Sequence, residues 1–238
     1  MVYRKEINSM EKRVVIVGAS ITGTYATTAL VRNKFEGSIT LIDQEEVFPY
    51  NTYPLSKEWM MDKEDMDPPL LKKKSYYGEN NIDLRLNTKV DKVNWKDKTV
   101  TTDDGEDIPY DYLLLATGSK LRRLSFTGDD AKGIFYMRDF SQAKEIKKWS
   151  EDVEDVTIIG TGFIGLEFAS SFSQLGKKVS VLVRSGKPLE KVLGSDMADY
   201  FTKMHQEHGV NFLFDEEADE FIKDDQGKIS SILTKSGK

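Results

Sequence analysis

With 238 residues, 39% of them hydrophobic and 11% aromatic, the chain has a globular composition and room for one large domain or two modest ones. A formal charge of −6 excludes a generic electrostatic attraction to nucleic acid or to an anionic membrane, so neither is expected as a partner. No cysteine is present, which rules out disulfides, thiolate metal sites and cysteine nucleophiles. No apolar run approaches the ~20 residues of a membrane span, and MVYRKEINSMEKR lacks the apolar middle of a signal peptide. A cytoplasmic protein is expected, with Met10 as an alternative start and residues 1–9 as a disordered extension.

From Arg13 the pattern predicts strand, glycine turn, helix and strand: RVVIVG, ASITG, TYATTALVRN, then SITLID ending at Asp43. The run VVIV does not alternate, as expected of a parallel strand covered on both faces. A stiff aromatic segment, FPYNTYPLSKEWM, follows, and the KKK at 72–74 reads as a solvated face. A strand near Val90, a turn at Asp103, Asp104 and Gly105, and a buried strand in DYLLLATG come next. From Val156 the opening pattern returns as VTIIG, TGFIG, a helix through Gln174 closed by Gly176, and the strand KVSVLV. A helix capped by Ser195 and closed by Gly209, the strand NFLF and a hairpin turning at 224–227 complete the chain. The expected fold is α/β, with two Rossmann-like units, each a three-layer arrangement around a parallel sheet. Their expected spans are 1–128 and 151–238, joined by a connection over 129–150.

The first turn spells Gly18-x-Ser20-x-x-Gly23, a dinucleotide fingerprint with serine at its middle position. The first glycine makes the tight turn, and the third lets helix pack on strand. The middle one lets backbone approach a pyrophosphate, where a serine hydroxyl can also hydrogen-bond. Asp43 stands where an acid accepts from ribose hydroxyls, or simply caps its loop. The second turn, Gly160-x-Gly162-x-x-Gly165, is intact and sits between a strand and a helix. Two such turns in one chain suggest electrons moving between two cofactors. Glu167 follows in the expected first helical turn, either functional or simply favoured there by the helix dipole. After Val183 the chain reads Arg184, Ser185, Gly186, Lys187, with no carboxylate for an adenosine 2′-hydroxyl. Arg184 and Lys187 are either solvated or suited to a 2′-phosphate, which favours NADPH over NADH.

Four motifs in order, GASITG, PYNTYPLSK, LLLATG and GTGFIGLEFA, make the stretch from Arg13 to about Phe214 resemble the pyridine nucleotide-disulfide oxidoreductase superfamily of FAD-dependent flavoproteins. The resemblance implies that the first unit binds FAD through Gly18, Ser20, Thr22, Gly23 and Asp43. Ala116, Thr117 and Gly118 would form a second flavin contact, Val90 an adenine contact and Arg138 a further approach to the cofactor. The second unit would bind NAD(P)H through Gly160, Gly162, Phe163, Ile164 and Gly165, with Arg184 and Lys187. The cysteine-free PYNTYPLSK is most similar to the ferredoxin or rubredoxin reductase branch, approximately PY-x-RPPLSK, from which Thr52 and Tyr53 depart. In that branch the lysine of PLSK lies near flavin N5 and pairs with the glutamate of the second loop; here these are Lys57 and Glu167, and the resemblance makes Pro54 of the same motif a further cofactor contact. An FAD-dependent NAD(P)H oxidoreductase passing electrons to a ferredoxin or rubredoxin is expected, the alternative being a non-catalytic nucleotide-binding flavoprotein module. The resemblance further implies a longer chain with an interface domain, of which these residues are a C-terminally truncated piece. His205 and His208 are expected at the surface and no metal site is expected, while Met197, Tyr200, Phe201 and Met204 form an apolar stripe expected to pack into the core.

Overall fold

A computed structural model describes residues 12–62 and 66–238. The alternative start at Met10 and the extension over 1–9 lie outside the described residues. In chain order come β1 (Lys12–Val17), α1 (Ile21–Arg32), β2 (Gly37–Ile42), a single 3₁₀ turn (Tyr53–Ser56), α2 (Glu58–Met61) and α3 (Ser75–Glu79). Five strands follow: β3 (Ile82–Arg85), β4 (Val90–Asn94), β5 (Thr99–Thr102), β6 (Asp107–Pro109) and β7 (Tyr112–Leu115). Then come α4 (Phe140–Ser150), β8 (Asp155–Ile159), α5 (Phe163–Gln174), β9 (Lys178–Val183), α6 (Glu190–Leu193) and α7 (Ser195–Glu207). The described chain closes with β10 (Val210–Phe214), β11 (Ala218–Lys223) and β12 (Ile229–Thr234). Two compact units result: the first runs to Asn51 and resumes at Pro68–Lys120, and the second takes Thr52–Asp67 and Leu121–Lys238.

In the first unit the parallel sheet has the order β3-β2-β1-β7. Successive residues of β1 point to opposite faces. Val14 and Ile16 join Ile39, Leu41 and Tyr77 on the side where Ala26 and Leu30 of α1 pack. Val15 and Val17 join Ile42 on the other side, against Val100 and Ile108 of the antiparallel meander β4-β5-β6 and Tyr110 just after it. Both faces are therefore apolar, which is why VVIV carries no period-2 signal. Ile16, Leu41 and Ile42 are fully buried, each contributing about 1.5–3 kcal/mol through burial.

DYLLLATG departs from expectation. β7 is an edge strand, with Tyr112 56% and Leu115 47% exposed. It borders an open apolar hollow of about 520 Å3 lined by Val14, Ile16, Leu30, Phe35, Tyr112 and Leu114. An apolar run reads the same in sequence whether or not a neighbour covers it.

In the second unit the sheet order is β10-β9-β8, all parallel, and α5 buries Leu166, Phe168, Ala169 and Phe172. β11 and β12 form the expected hairpin, whose turn is set by Asp224 Oδ1 accepting from the amides of Gln226 (2.9 Å) and Lys228 (2.8 Å). Within the stretch read as a connection, Asp139 caps α4 by accepting from the amide of Gln142 at 2.9 Å. Helix α7 corrects three expectations, the first being that its N-cap is Gly194 and not Ser195. Its buried face is Ala198, Thr202 and His205, while Met197 and Tyr200 are exposed. His205 lies edge-on to Phe212 at 6.2 Å, and burial lowers its pKa; only His208 is at the surface. The spacing of Ala198, Thr202 and His205 is helical, but their types did not announce a core.

Glu216 fastens the sheet to the hairpin. Its amide donates to the Val183 carbonyl at 3.2 Å, and its buried carboxylate accepts from Ser236 Oγ at 2.7 Å and Lys238 Nζ at 2.9 Å. Hydrogen bonds from Ser236, then Thr234 and Lys238, lower its pKa from 4.5 to about 2. Because the folded value lies below the unfolded one, this stabilisation is present above pH 4.5 and lost as the pH falls toward 2. In urea titrations followed by circular dichroism, Glu216→Gln should flatten the fall in midpoint over that window; an unchanged slope would refute the assignment.

Candidate functional site

At the first glycine turn, Gly18 has φ +104°, and a Cβ there would lie 2.3 Å from the Ala116 carbonyl oxygen. A Cβ on Gly23 would lie 1.8 Å from the Gly18 carbonyl oxygen. Helix, turn and the end of β7 thus meet backbone to backbone, bringing Gly18, Gly23 and Ala116 together, with Thr117 and Gly118 following as exposed residues. Asp43 Oδ2 accepts from the Ala19 amide at 2.5 Å and Oδ1 from the Glu45 amide at 2.9 Å. The carboxylate therefore does fix its own loop, while lining a shallow hollow with Ser20, Glu45 and Tyr50. Ser20 is exposed at the N-cap of α1, and its hydroxyl makes no capping bond. Thr22 is exposed in the first turn of α1, which contains no acidic residue. The Thr88 amide donates to the Asp43 carbonyl at 2.9 Å, holding the lead-in to Val90 beside this loop; Val90 itself packs against the meander core.

The second turn repeats the close approach. A Cβ on Gly165 would lie 2.3 Å from the Gly160 carbonyl oxygen, while Gly160 (φ +136°) and Gly162 face open space. Phe163 and Ile164 begin α5 and are 52% and 53% exposed. The loop after β9 is tied to this turn by the Leu189 amide donating to the Thr161 carbonyl at 3.1 Å. Arg184 is 71% exposed, with its guanidinium 3.9 Å from Glu217. Lys187 is held by Asp199 at 2.6 Å, and that hydrogen bond raises its pKa. Arg138, exposed beside the cap of α4, belongs to the second unit. Both turns thus offer open helix N-termini of the kind that suits a phosphate.

Lys57 is the junction residue between the 3₁₀ turn, where Pro54 sits in the opening positions, and α2. Its Nζ donates to Glu167 Oε1 at 2.8 Å. Glu167 lies in the second turn of α5 rather than the first, so the helix dipole does not account for it. Its other oxygen, Oε2, accepts from Ser56 Oγ at 2.6 Å, and Ser171 Oγ donates to the Ser56 carbonyl at 2.7 Å. The buried Lys147 donates to the Trp59 carbonyl at 2.8 Å and stands 4.1 Å over the Trp59 ring. Ser56, Ser171 and Lys147 escaped the sequence reading. The one available signal was the four-residue spacing of Glu167 and Ser171 on a helix. Among the described residues no three His, Asp or Glu side chains gather as a metal site, and no helix is long and apolar enough to cross a membrane.

Two parallel-sheet units, each with a glycine turn between strand and helix, define an α/β protein of Rossmann-like class. The chain belongs to the pyridine nucleotide-disulphide oxidoreductase family, whose model matches residues 12–238. It is 32% identical to the rubredoxin-NAD(+) reductase of Pseudomonas putida over 94% of this chain and 58% of that protein. It is 31% identical to the rhodocoxin reductase of Rhodococcus erythropolis over 94% of this chain and 52% of that one. The covalent putidaredoxin reductase–putidaredoxin complex contains a similar structure (TM-score 0.90, 28% identity, 95% of this chain and 55% of that chain). The chain spans about half the length of the curated relatives it matches.

The two glycine environments make a paired prediction. Gly23→Ala should cost on the order of 3 kcal/mol or more, because its Cβ meets backbone that cannot yield. Gly162→Ala, whose Cβ meets nothing, should cost under ~1 kcal/mol. Equal losses of stability in urea unfolding would contradict this division.

Proposed function

We propose that the protein is an FAD-dependent NAD(P)H oxidoreductase that delivers electrons to a small redox protein, of ferredoxin or rubredoxin kind, without a redox cysteine. The observation that carries this reading is the Lys57–Glu167 pair at 2.8 Å, on a cysteine-free segment of a chain with two glycine turns. FAD, when bound, supplies hydride acceptance at N5 and onward electron transfer. Gly18, Ser20, Thr22, Gly23 and Asp43 would hold its ADP half. The uncommitted Ser20 hydroxyl and the shallow hollow it shares with Asp43 support that fit. Ala116, Thr117, Gly118, Val90, Pro54 and Arg138 are proposed as its further contacts. Gly160, Gly162, Phe163, Ile164 and Gly165 would hold the nicotinamide nucleotide, for which the open space at Gly162 is suitable.

With FAD bound, Lys57 would set an ammonium near the group that gains negative charge on reduction, and Glu167 would balance that ammonium at rest. A small redox protein as acceptor is supported by the kind of relative: several are named rubredoxin, rhodocoxin or ferredoxin reductases.

We further propose a preference for NADPH, although several relatives are named for NAD(+). Residues 183–187 contain no carboxylate, and Arg184, outside hydrogen-bond distance of Glu217, is available to a 2′-phosphate. Arg184→Ala should raise the KM for NADPH about tenfold and that for NADH less than about twofold. Equal changes for both nucleotides would remove the preference.

Lys57→Met should leave FAD bound and slow flavin reduction by about a hundredfold in anaerobic stopped flow. An unchanged rate would sink the assignment, and failure of NADPH to bleach FAD-loaded native protein would favour a non-catalytic module.

A further inference from the structure

Lys57 and Glu167 are exposed at 39% and 30% of their side chains, whereas Ser56 and Ser171 beside them are buried at 5% and 2%. A half-exposed ion pair contributes little and does not by itself hold one geometry. A hydroxyl donating to a carboxylate in a buried setting is stronger and more directional. Ser56 and Lys57 are consecutive residues, yet each takes a different oxygen of the same carboxylate: Oγ on Oε2 at 2.6 Å, Nζ on Oε1 at 2.8 Å. Ser56 in turn is held at its carbonyl by Ser171 Oγ at 2.7 Å. Glu167 and Ser171, one helical turn apart on α5, thus grip Ser56 by side chain and by backbone.

We propose that Ser56 is a positioning residue for the Lys57–Glu167 pair, with Ser171 as the anchor that keeps Ser56 in place. The inference rests on the reading of Lys57 as the flavin-side cation. Occupying Oε2 removes the carboxylate's freedom to turn. Lys57 Nζ then follows a fixed Oε1 rather than a mobile one. Without the hydroxyl, the ion pair survives as a contact but loses its single orientation.

A double-mutant cycle on the full chain without cofactor tests the coupling. Ser56→Ala should raise the urea-unfolding equilibrium constant about tenfold when Glu167 is present, and less than about twofold in the Glu167→Met background. Equal effects in both backgrounds would mean that Ser56 merely fills space, and would overturn the proposal. Should Ser56→Ala fail to fold, Ser171→Ala cycled against Glu167→Met should show coupling of about threefold or more, and additivity would overturn the anchor. In FAD-loaded protein, Ser56→Ala should lower the flavin-reduction rate constant about tenfold with the nucleotide KM within about twofold; a native rate would overturn positioning. If Lys57→Met leaves reduction unchanged while the cycle shows coupling, the functional reading fails and the Ser56 contact stands. If Lys57→Met slows reduction but Ser56 shows no coupling, only this inference fails.

Discussion

The structure depends on a close backbone approach made twice. In each unit the third glycine of the turn lets a helix descend onto the carbonyl of the first, at separations no Cβ could share: 1.8 Å at Gly23 and 2.3 Å at Gly165. That descent sets the N-terminus of α1 at the end of β1, and that of α5 at the end of β8. It also orients the rest of α5, so that Glu167 and Ser171 reach the 3₁₀ turn. Displacing either helix would cost more than packing, because it would misplace both the open amides and the side chains one and two turns along.

The Lys57–Glu167 pair illustrates how magnitude decides which interaction organises a site. As a half-exposed pair it contributes about 0–1 kcal/mol, too little to order two flexible side chains whose immobilisation costs a comparable amount. A hydrogen bond from a buried hydroxyl to a carboxylate is worth about 1.5–3 kcal/mol. The ordering therefore comes from the serines, and the charge from the pair. A fully buried pair would be better held but harder for any ligand to meet, whereas this one stays partly exposed while a buried serine holds its carboxylate.

Much of the scaffold was legible because it follows from backbone requirements. The strand KVSVLV, the helix ending at Gln174 before Gly176, and the hairpin around residues 224–227 stand where the sequence put them. The errors arose where neighbours decide. LLL in β7 reads as a buried strand and is an edge. On α7 Met197 and Tyr200 face solvent, while a threonine whose hydroxyl bonds to the Ala198 carbonyl at 2.7 Å, and a histidine against Phe212, lie inside. Both polar residues are acceptable there because each has a local partner or loses its charge, conditions that letters alone do not display. Ser56 was invisible for the same reason: inside PLSK nothing distinguishes a serine that grips a carboxylate from one that ends a turn.

The middle position of the glycine fingerprint separates what the fold requires from what a ligand would. Substituting the third glycine in either turn brings a side chain into the protein's own backbone, and in the first turn the first glycine is equally confined by Ala116. At Gly162 a side chain would meet nothing, and the corresponding Ser20 is accommodated with its hydroxyl exposed and making no capping bond. The protein itself therefore does not need glycine at the middle position; only a molecule lying against the turn would. Under the proposed function, serine in the first turn and glycine in the second would be two different ways of meeting an anion, one adding a hydroxyl donor and the other leaving room beside the backbone.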